Sequence, residues 1–481
     1  MSDAPVIVWL RQDLRLADNP ALHAAAQTGR PLVLAYILDD VTPGRWRLGG
    51  ASRWWLHRSL EALASAIAKR GGVLVLRRGD AHSELRTLIG ECGASAVFWN
   101  RCYEPYIIER DKRLVEDLER SGVETRRFNG ALLNEPWEAK TKLGEPFKVF
   151  TPYWRAAQQR PARTPLPAPK RLKGCDTPLR SDPLGEWNLL PRRPNWAAPF
   201  ETEWKPGEAG ALEALQRFVS ERLQGYAEGR DRMGLAATSR LSPHLHWGEI
   251  SPVQVRAAIE SAAHAKPALQ RCADKFLSEI GWREFSYNLL YHCPTLPERN
   301  WRSQFDAMPW ADDEPALEAW QRGRTGYPLV DAAMRELWNT GTMHNRARMV
   351  VASFLVKHLM IDWRRGEDWF WDTLVDADLA NNAASWQWVA GSGADASPYF
   401  RIFNPVAQGE RYDPDGVYVR RWVPELARLP NSVIHQPWQA ERQILTAAGV
   451  ELGRTYPLPI VEHAAARARA LAAYARISSA A

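Results

Sequence analysis

Four short apolar runs punctuate the first hundred residues: 6–10 (VIVWL), 32–38 (LVLAYIL), 73–78 (VLVLRR) and 96–100 (AVFWN). Runs of Val, Ile and Leu without polar alternation suit strands buried on both faces. Between them apolar residues recur at helical spacing. One such segment covers about 52–70 before Gly71-Gly72, with Ser52 as N-cap; a second begins near Asp80; a third covers about 104–120. Alternating strand and helix predicts a doubly wound parallel sheet with helices on both faces. No G-x-G-x-x-G follows the first run, which disfavours an ordinary nicotinamide-dinucleotide site.

The pattern then changes twice. Ten of the 34 prolines fall between Pro161 and Pro206, too dense for regular structure. From 211 onward the spacing is helical, over 211–223, 252–263, 269–292, 327–339, 346–359 and 369–375, and the Ala-rich tail from Pro459 reads as a last helix. The chain therefore divides into an α/β domain (1–135), a connector (136–210) and an all-helical domain (211–481). One stretch stands apart. Asp376, Asp378, Asn381 and Asn382, then Gly391 and Gly393, read as a polar corner between helices, walled by Trp386 and Trp388.

Composition adds bounds. Charged residues are 25% and hydrophobic ones 45%, an ordinary soluble balance, and the net charge of +6 fits an anionic partner only where it clusters. No signal-peptide pattern or bilayer-length apolar run is present, which gives the expectation of a cytoplasmic protein. Cys92, Cys102, Cys175, Cys272 and Cys293 are scattered without metal-ligand spacing, so reduced thiols and no metal are expected. The 23 Trp residues are unusually many.

The wording of several stretches is more specific. DADLANNAASWQWVAGSGADASPYFRIFNP (376–405) resembles the flavin-binding core of the photolyase and cryptochrome family. The resemblance continues through GRTGYPLVDAAMRELWNTGTMHNRARMVVASFLVKHLMIDWRRGE (323–367), TSRLSPHLHWGEISP (238–252), WREF (282–285) and VIVWLRQDLRLADNPAL (6–22). It implies an N-terminal α/β antenna domain and a C-terminal helical domain that binds FAD, reduced in the active form. The chain is most similar to microbial cyclobutane pyrimidine dimer photolyases, of class I or of the class III group related to plant cryptochromes.

Residue by residue, the resemblance implies that Thr238, Ser239, Leu241 and Ser242, preceded by Tyr226, hold the FAD phosphates. A helix N-terminus is also a physical seat for a pyrophosphate, although hydroxyls before a helix ordinarily serve only as caps. Arg348 and Asp376 match a buried ion pair against the flavin. Asp376 and Asp378 match acids facing its ring and ribose, and Asn382 the residue facing N5. Trp282, Arg283 and Asn345 complete the implied flavin contacts. Trp386, Trp363 and Trp310 match a chain of indoles that carries electrons to the flavin, with Trp338, Trp369, Trp371 and Trp388 as possible branches.

Glu279 and Trp282, three apart on a predicted helix, share a face with Arg283; a solvated Glu279–Arg283 pair is the plain alternative. The resemblance makes this face part of a lesion pocket, completed by Trp388, Asn345 and Met349, with Arg230, Arg346 and Arg401 on DNA phosphates. The implied partner is ultraviolet-damaged DNA with a flipped-out dimer, and the implied state a monomer. Asn345, where the branch that repairs pyrimidine–pyrimidone adducts has a second histidine after His344, favours the cyclobutane dimer. For the antenna, SRWWLH (52–57) and GEPFKVFTPYW (144–154) resemble members that bind methenyltetrahydrofolate. Glu109 matches a folate-contacting acid elsewhere in the family, although Ile108 replaces that pattern's Asn. The rival reading is a cryptochrome photoreceptor with the same fold and flavin, marked by an altered pocket and a longer tail.

Overall fold

The computed structural model describes residues 4–399 and 401–479. The chain forms two compact units, each assembled from separate stretches. A sheet unit comprises 1–224, 239–294 and 375–378, and a helical unit comprises 225–238, 295–374 and 379–481.

The sheet unit is built on β1 (Val6–Leu10), β2 (Leu32–Leu38), β3 (Leu74–Arg78), β4 (Ala96–Asn100) and β5 (Glu124–Phe128), all parallel, in the order β3-β2-β1-β4-β5. Helices α1 (Pro20–Gln27), α2 (Gly50–Ala68), α3 (Ala81–Cys92) and α4 (Pro105–Arg120) supply the crossovers. Alternate residues of β1 enter different cores. Val6, Val8 and Leu10 pack with Trp54, Trp55 and Leu60; Ile7 and Trp9 pack with Leu85, Leu88 and Leu114. This two-sided burial is why the strands read as unbroken apolar runs.

Two local expectations need correction. β5 (ETRRF) was not anticipated, because an edge strand with exposed Glu, Arg and Arg carries no apolar run. Helix α2 starts two residues before Ser52, with Gly49 as its N-cap, and Ser52 is buried inside the helix. Asp80 does cap α3, accepting from Ser83 N–H at 2.9 Å. The proline-rich segment runs along the sheet: Leu32 N–H donates to Lys173 O (2.7 Å), Leu172 N–H to Arg70 O (2.8 Å) and Asp182 N–H to Leu76 O (2.8 Å).

Two further helices of this unit, Pro252–Ala265 and Gln270–His292, match their predicted spans closely. The first has Ser251 as N-cap in a capping box with Gln254 and Pro252 at its start. Ser251 Oγ also donates to the buried Asp18.

The helical unit contains Pro328–Thr340, Asn345–Ser353, Trp363–Thr373, Leu379–Ala390 and His463–Ser479. The predicted 346–359 helix passes into a π turn at Phe354–His358, and the helix expected from 369 begins at Trp363. The main correction concerns the polar corner. Leu379–Ala390 is a continuous helix that carries Asn381, Asn382, Trp386 and Trp388. Leu379, Ala380, Ala383, Trp386 and Val389 supply a buried stripe at helical spacing, which outweighs the weak propensity of two asparagines. The corner itself is shorter than expected: Asp376 and Asp378 lie in the turn over 374–378 between the two helices, and the chain turns again after Ala390, where Gly391 has φ +94°. Among the described residues no helix is long and apolar enough to cross a membrane, and the five cysteines are free thiols.

Ser251→Ala removes both the N-cap acceptor and the donor to Asp18. It is expected to cost about 1–2 kcal/mol of stability, read as a lower urea midpoint with unchanged slope.

Candidate functional site

In the sheet unit residues 239–241 are irregular and lead into a short helix at Ser242. Arg240 is left-handed (φ +59°) and Leu241 right-handed (φ −88°, ψ −8°). Ser239 Oγ accepts from Leu241 N–H at 3.3 Å, and Ser242 is exposed. Arg240 is fixed by Glu203 (2.7 Å) and lies over Trp204 at 4.1 Å. The helix expected to seat a phosphate is a single turn, Ser242–His246, with Leu241 at its N-cap and no side-chain cap. So short a helix adds little dipole to the segment. Thr238 and Tyr226 belong to the helical unit, where Tyr226 is buried with Arg230 over its ring at 5.8 Å.

Asp376 and Asp378 are both buried in the sheet unit. Tyr287 OH donates to Asp378 Oδ2, and His246 Nδ1 lies 3.5 Å from the same oxygen. Burial opposes ionisation of Asp378, yet His246, Arg283 and Tyr287 together hold its carboxyl well below the usual carboxylate range. The result is a buried, ionised acceptor. Neither Tyr287 nor His246 was anticipated, since they come from separate helices and share no sequence spacing with Asp378.

The Gln270–His292 helix presents Glu279 and Trp282, both partly exposed, on one face. The Glu279–Arg283 pair weighed from spacing does not form: Glu279 pairs with Lys275 (3.2 Å), while Arg283 donates to Ala131 O (2.9 Å) and lies over Tyr287 (4.9 Å). Trp282 stacks on Phe150 with ring centroids 3.8 Å apart and planes at 9°. The GEPFKVFTPYW stretch thus packs against the Glu279–Trp282 face. In SRWWLH, Trp54 and Trp55 are core residues whose indoles donate to Glu201 (3.2 Å) and Glu249 (3.0 Å). Glu109 is exposed and paired with Arg113 of its own helix at 3.4 Å.

In the helical unit, His344 caps the Asn345–Ser353 helix by accepting from Arg346 N–H at 3.1 Å, and Asn345 is exposed. Arg346 pairs with Asp231 (3.0 Å) and lies over Tyr412 (4.5 Å). Arg230 is 3.9 Å from the same Asp231. Arg346, Met349, Arg401, Gln408, Arg411 and Tyr412 line a cavity of about 480 Å³. Three side chains expected at DNA therefore meet in one basic cavity, joined by Arg411, Gln408 and Tyr412, which carry no motif. Beneath it, buried Lys357 donates to Arg401 O (3.2 Å), and burial pushes its ammonium down to about 7. Arg348 donates to Met343 O at 2.9 Å and Thr342 Oγ1 at 3.4 Å.

The Leu379–Ala390 and Trp363–Thr373 helices meet at two neighbouring points. Asn382 Nδ2 donates to Glu367 O at 3.0 Å, and the Trp386 ring lies where a side chain at Gly366 would stand, 2.1 Å from an ideal Cβ. Trp386 contacts Phe370 (5.0 Å) and Trp320 (6.3 Å). Trp320 escaped the sequence reading, because nothing separates it from a core tryptophan. Trp363, fully buried, lies one turn before Gly366 and donates to Asn300 Oδ1 at 3.0 Å. Trp310 is partly exposed and shares a second cavity, about 220 Å³, with Ile361 and Asp362, the residues just before Trp363. Trp338 and Trp369 stack at 6.1 Å, and Trp388 is partly exposed.

The sheet unit has the exposed Ser242 hydroxyl and a buried, ionised Asp378, and the helical unit has a buried amide beside an indole whose Nε1 has no partner among the described residues. The chain accordingly belongs to the DNA photolyase family and carries its FAD-binding domain. The DNA photolyase family matches residues 6–170 and the FAD binding domain of DNA photolyase matches 276–476. The chain is 54% identical over 478 residues to the deoxyribodipyrimidine photo-lyase of Agrobacterium fabrum, covering 99% of each. It is 42% identical to Cryptochrome-1 of Arabidopsis thaliana, covering 96% of this chain and 69% of that one. A crystal structure of a bacterial class III photolyase from Agrobacterium tumefaciens superposes with a TM-score of 0.96 at 54% identity, covering 100% of this chain and 98% of that one.

Glu284 supplies a pH test of this region. It accepts from Leu133 N–H (2.8 Å) and Asn134 N–H (3.1 Å), yet burial pushes its carboxyl up to about 7, against the pull of Arg283 and those donors. Between about pH 4.5 and 7 the folded state holds a proton that the unfolded state has released, so this contribution to stability falls as pH rises through that window. Glu284→Gln should flatten a decline on the order of 1–3 kcal/mol between pH 5 and pH 8, read from urea unfolding at both pH values.

Proposed function

We propose that this protein is a light-driven DNA repair enzyme that splits cyclobutane pyrimidine dimers. The observation that carries the reading is the basic cavity lined by Arg346, Met349 and Arg401, three residues the family resemblance assigns to damaged DNA. Its arginines suit backbone phosphates, and Glu279 and Trp282 supply a hydrogen-bonding carboxylate and a stacking ring for a flipped base. When bound and reduced, FAD supplies the electron that opens the cyclobutane ring and takes it back afterwards.

The chain's own residues bind, orient and refill. Ser239, Leu241, Ser242, Thr238 and Tyr226 hold the phosphates. Asp376, Asp378, Arg348, Asn382, Trp282, Arg283 and Asn345 orient the ring system, with the Asn382 amide fixed by Glu367 O. Trp386, Trp363 and Trp310 refill an oxidised centre. Arg230 and Trp388 complete the DNA-binding set. The antenna is methenyltetrahydrofolate, with Glu109 a poor candidate for it given its exposed pairing with Arg113. The protein acts as a cytoplasmic monomer without a metal.

A cryptochrome-type photoreceptor is the second reading, favoured by the likeness to the Arabidopsis protein. The two separate in a binding titration. Wild type should prefer dimer-containing over undamaged DNA. Because the FAD phosphates are held by residues 238–242, Trp282→Ala and Glu279→Ala should retain flavin and lose roughly 1–3 kcal/mol of dimer affinity each, with little change for undamaged DNA. Equal affinity of wild type for both DNAs would reject the photolyase reading in favour of the photoreceptor.

A further inference from the structure

The indole N–H groups of the relay have different partners. Trp386 is buried and its Nε1 has no partner among the described residues. Trp363 Nε1 donates at 3.0 Å to the amide oxygen of Asn300, whose Nδ2 donates in turn to Asp306 Oδ1 at 2.7 Å. Trp310 is partly exposed in a cavity lined by Asp312, Asp313, Glu314 and Asp362. An indole that has lost an electron is a far stronger acid than indole itself. It stays a cation only where no base meets its N–H. A side-chain amide oxygen accepts a hydrogen bond but takes no proton at neutral pH, whereas a carboxylate or imidazole does.

We infer that Asn300 is a positioning residue that keeps the Nε1 proton on oxidised Trp363, so that the hole moves outward as a cation and sheds its proton only at Trp310. This rests on the assignment of Trp386, Trp363 and Trp310 to the relay. One electron passes from Trp363 to the hole on Trp386, and Trp363 retains its N–H. One electron then passes from Trp310 to Trp363, and the Nε1 proton of Trp310 goes to solvent water. The Asn300–Asp306 bond fixes the amide orientation, with oxygen toward the indole and nitrogen toward the carboxylate. A base at this position would take the proton early and strand a neutral radical on Trp363.

The test is flash spectroscopy of the oxidised, flavin-loaded protein, which distinguishes cationic from neutral tryptophan radicals. In wild type the first radical should be cationic, with the neutral form appearing later. In Asn300→Asp and Asn300→His, two different bases, the neutral form should appear first and the yield of stable photoreduction should fall several-fold. Lowering the pH until the Asn300→Asp side chain is protonated should restore the cation, and Asn300→Gln should behave as wild type. Ultraviolet resonance Raman of the dark protein should show one indole N–H hydrogen bond lost in Asn300→Leu. Wild-type radical order and yield in both base variants would overturn the inference. Trp386→Phe separates its failure from that of the relay: unchanged photoreduction in Trp386→Phe rejects the relay itself, while a block there with silent base variants rejects only the role of Asn300.

Discussion

A close contact between the Trp363–Thr373 and Leu379–Ala390 helices constrains the helical unit. Gly366 leaves room for an indole, and the Trp386 ring fills it. One residue on, the backbone oxygen of Glu367 receives the Asn382 amide. Asn382 and Trp386 are four apart on their helix and so share a face. A side chain at Gly366 would collide with the ring, and the shift needed to relieve it would move the amide as well. The Asn382 amide and the Trp386 indole are thus fixed by one helix pairing.

The sheet unit fixes its share by electrostatics. Asp378 is buried among Tyr287, His246 and Arg283, and the partners outweigh the cost of desolvation. Glu284, next to Arg283 in sequence and equally buried, goes the other way, because two backbone N–H groups and one guanidinium do not offset its burial. The same helix therefore carries Tyr287, which helps keep Asp378 ionised, beside an acid that titrates near neutrality. Glu279 and Trp282 stay partly open on that helix.

What was legible in the sequence follows from the range of each interaction. Strands buried on both faces show as apolar runs, so four of five parallel strands were evident, while β5 lay at an exposed edge and had no such run. Long helices and the Ser251 capping box are local patterns and were read closely. The polar corner was read correctly at Asp376 and Asp378, which lie between two helices, but extended too far, because two amides hid a buried stripe at helical spacing from Leu379 on. The cluster around Asp378, the Asn300 partner of Trp363 and the Trp320 contact of Trp386 join residues 63 to 132 apart in sequence, and no spacing rule reaches so far. The residues expected at DNA were found from family wording, and the fold gathers Arg346, Met349 and Arg401 around one cavity that composition alone did not suggest.

The basic cavity of the helical unit and the partly exposed Trp282 of the sheet unit are features a repair enzyme would use on a lesion. The direct measurement uses a duplex oligonucleotide with a single cyclobutane dimer, mixed without oxygen with protein whose flavin has been chemically reduced. Under blue light the dimer should revert to intact pyrimidines with repeated turnover, and in the dark it should persist. Flavin-loaded protein that binds this DNA yet leaves the dimer intact under light would contradict the account.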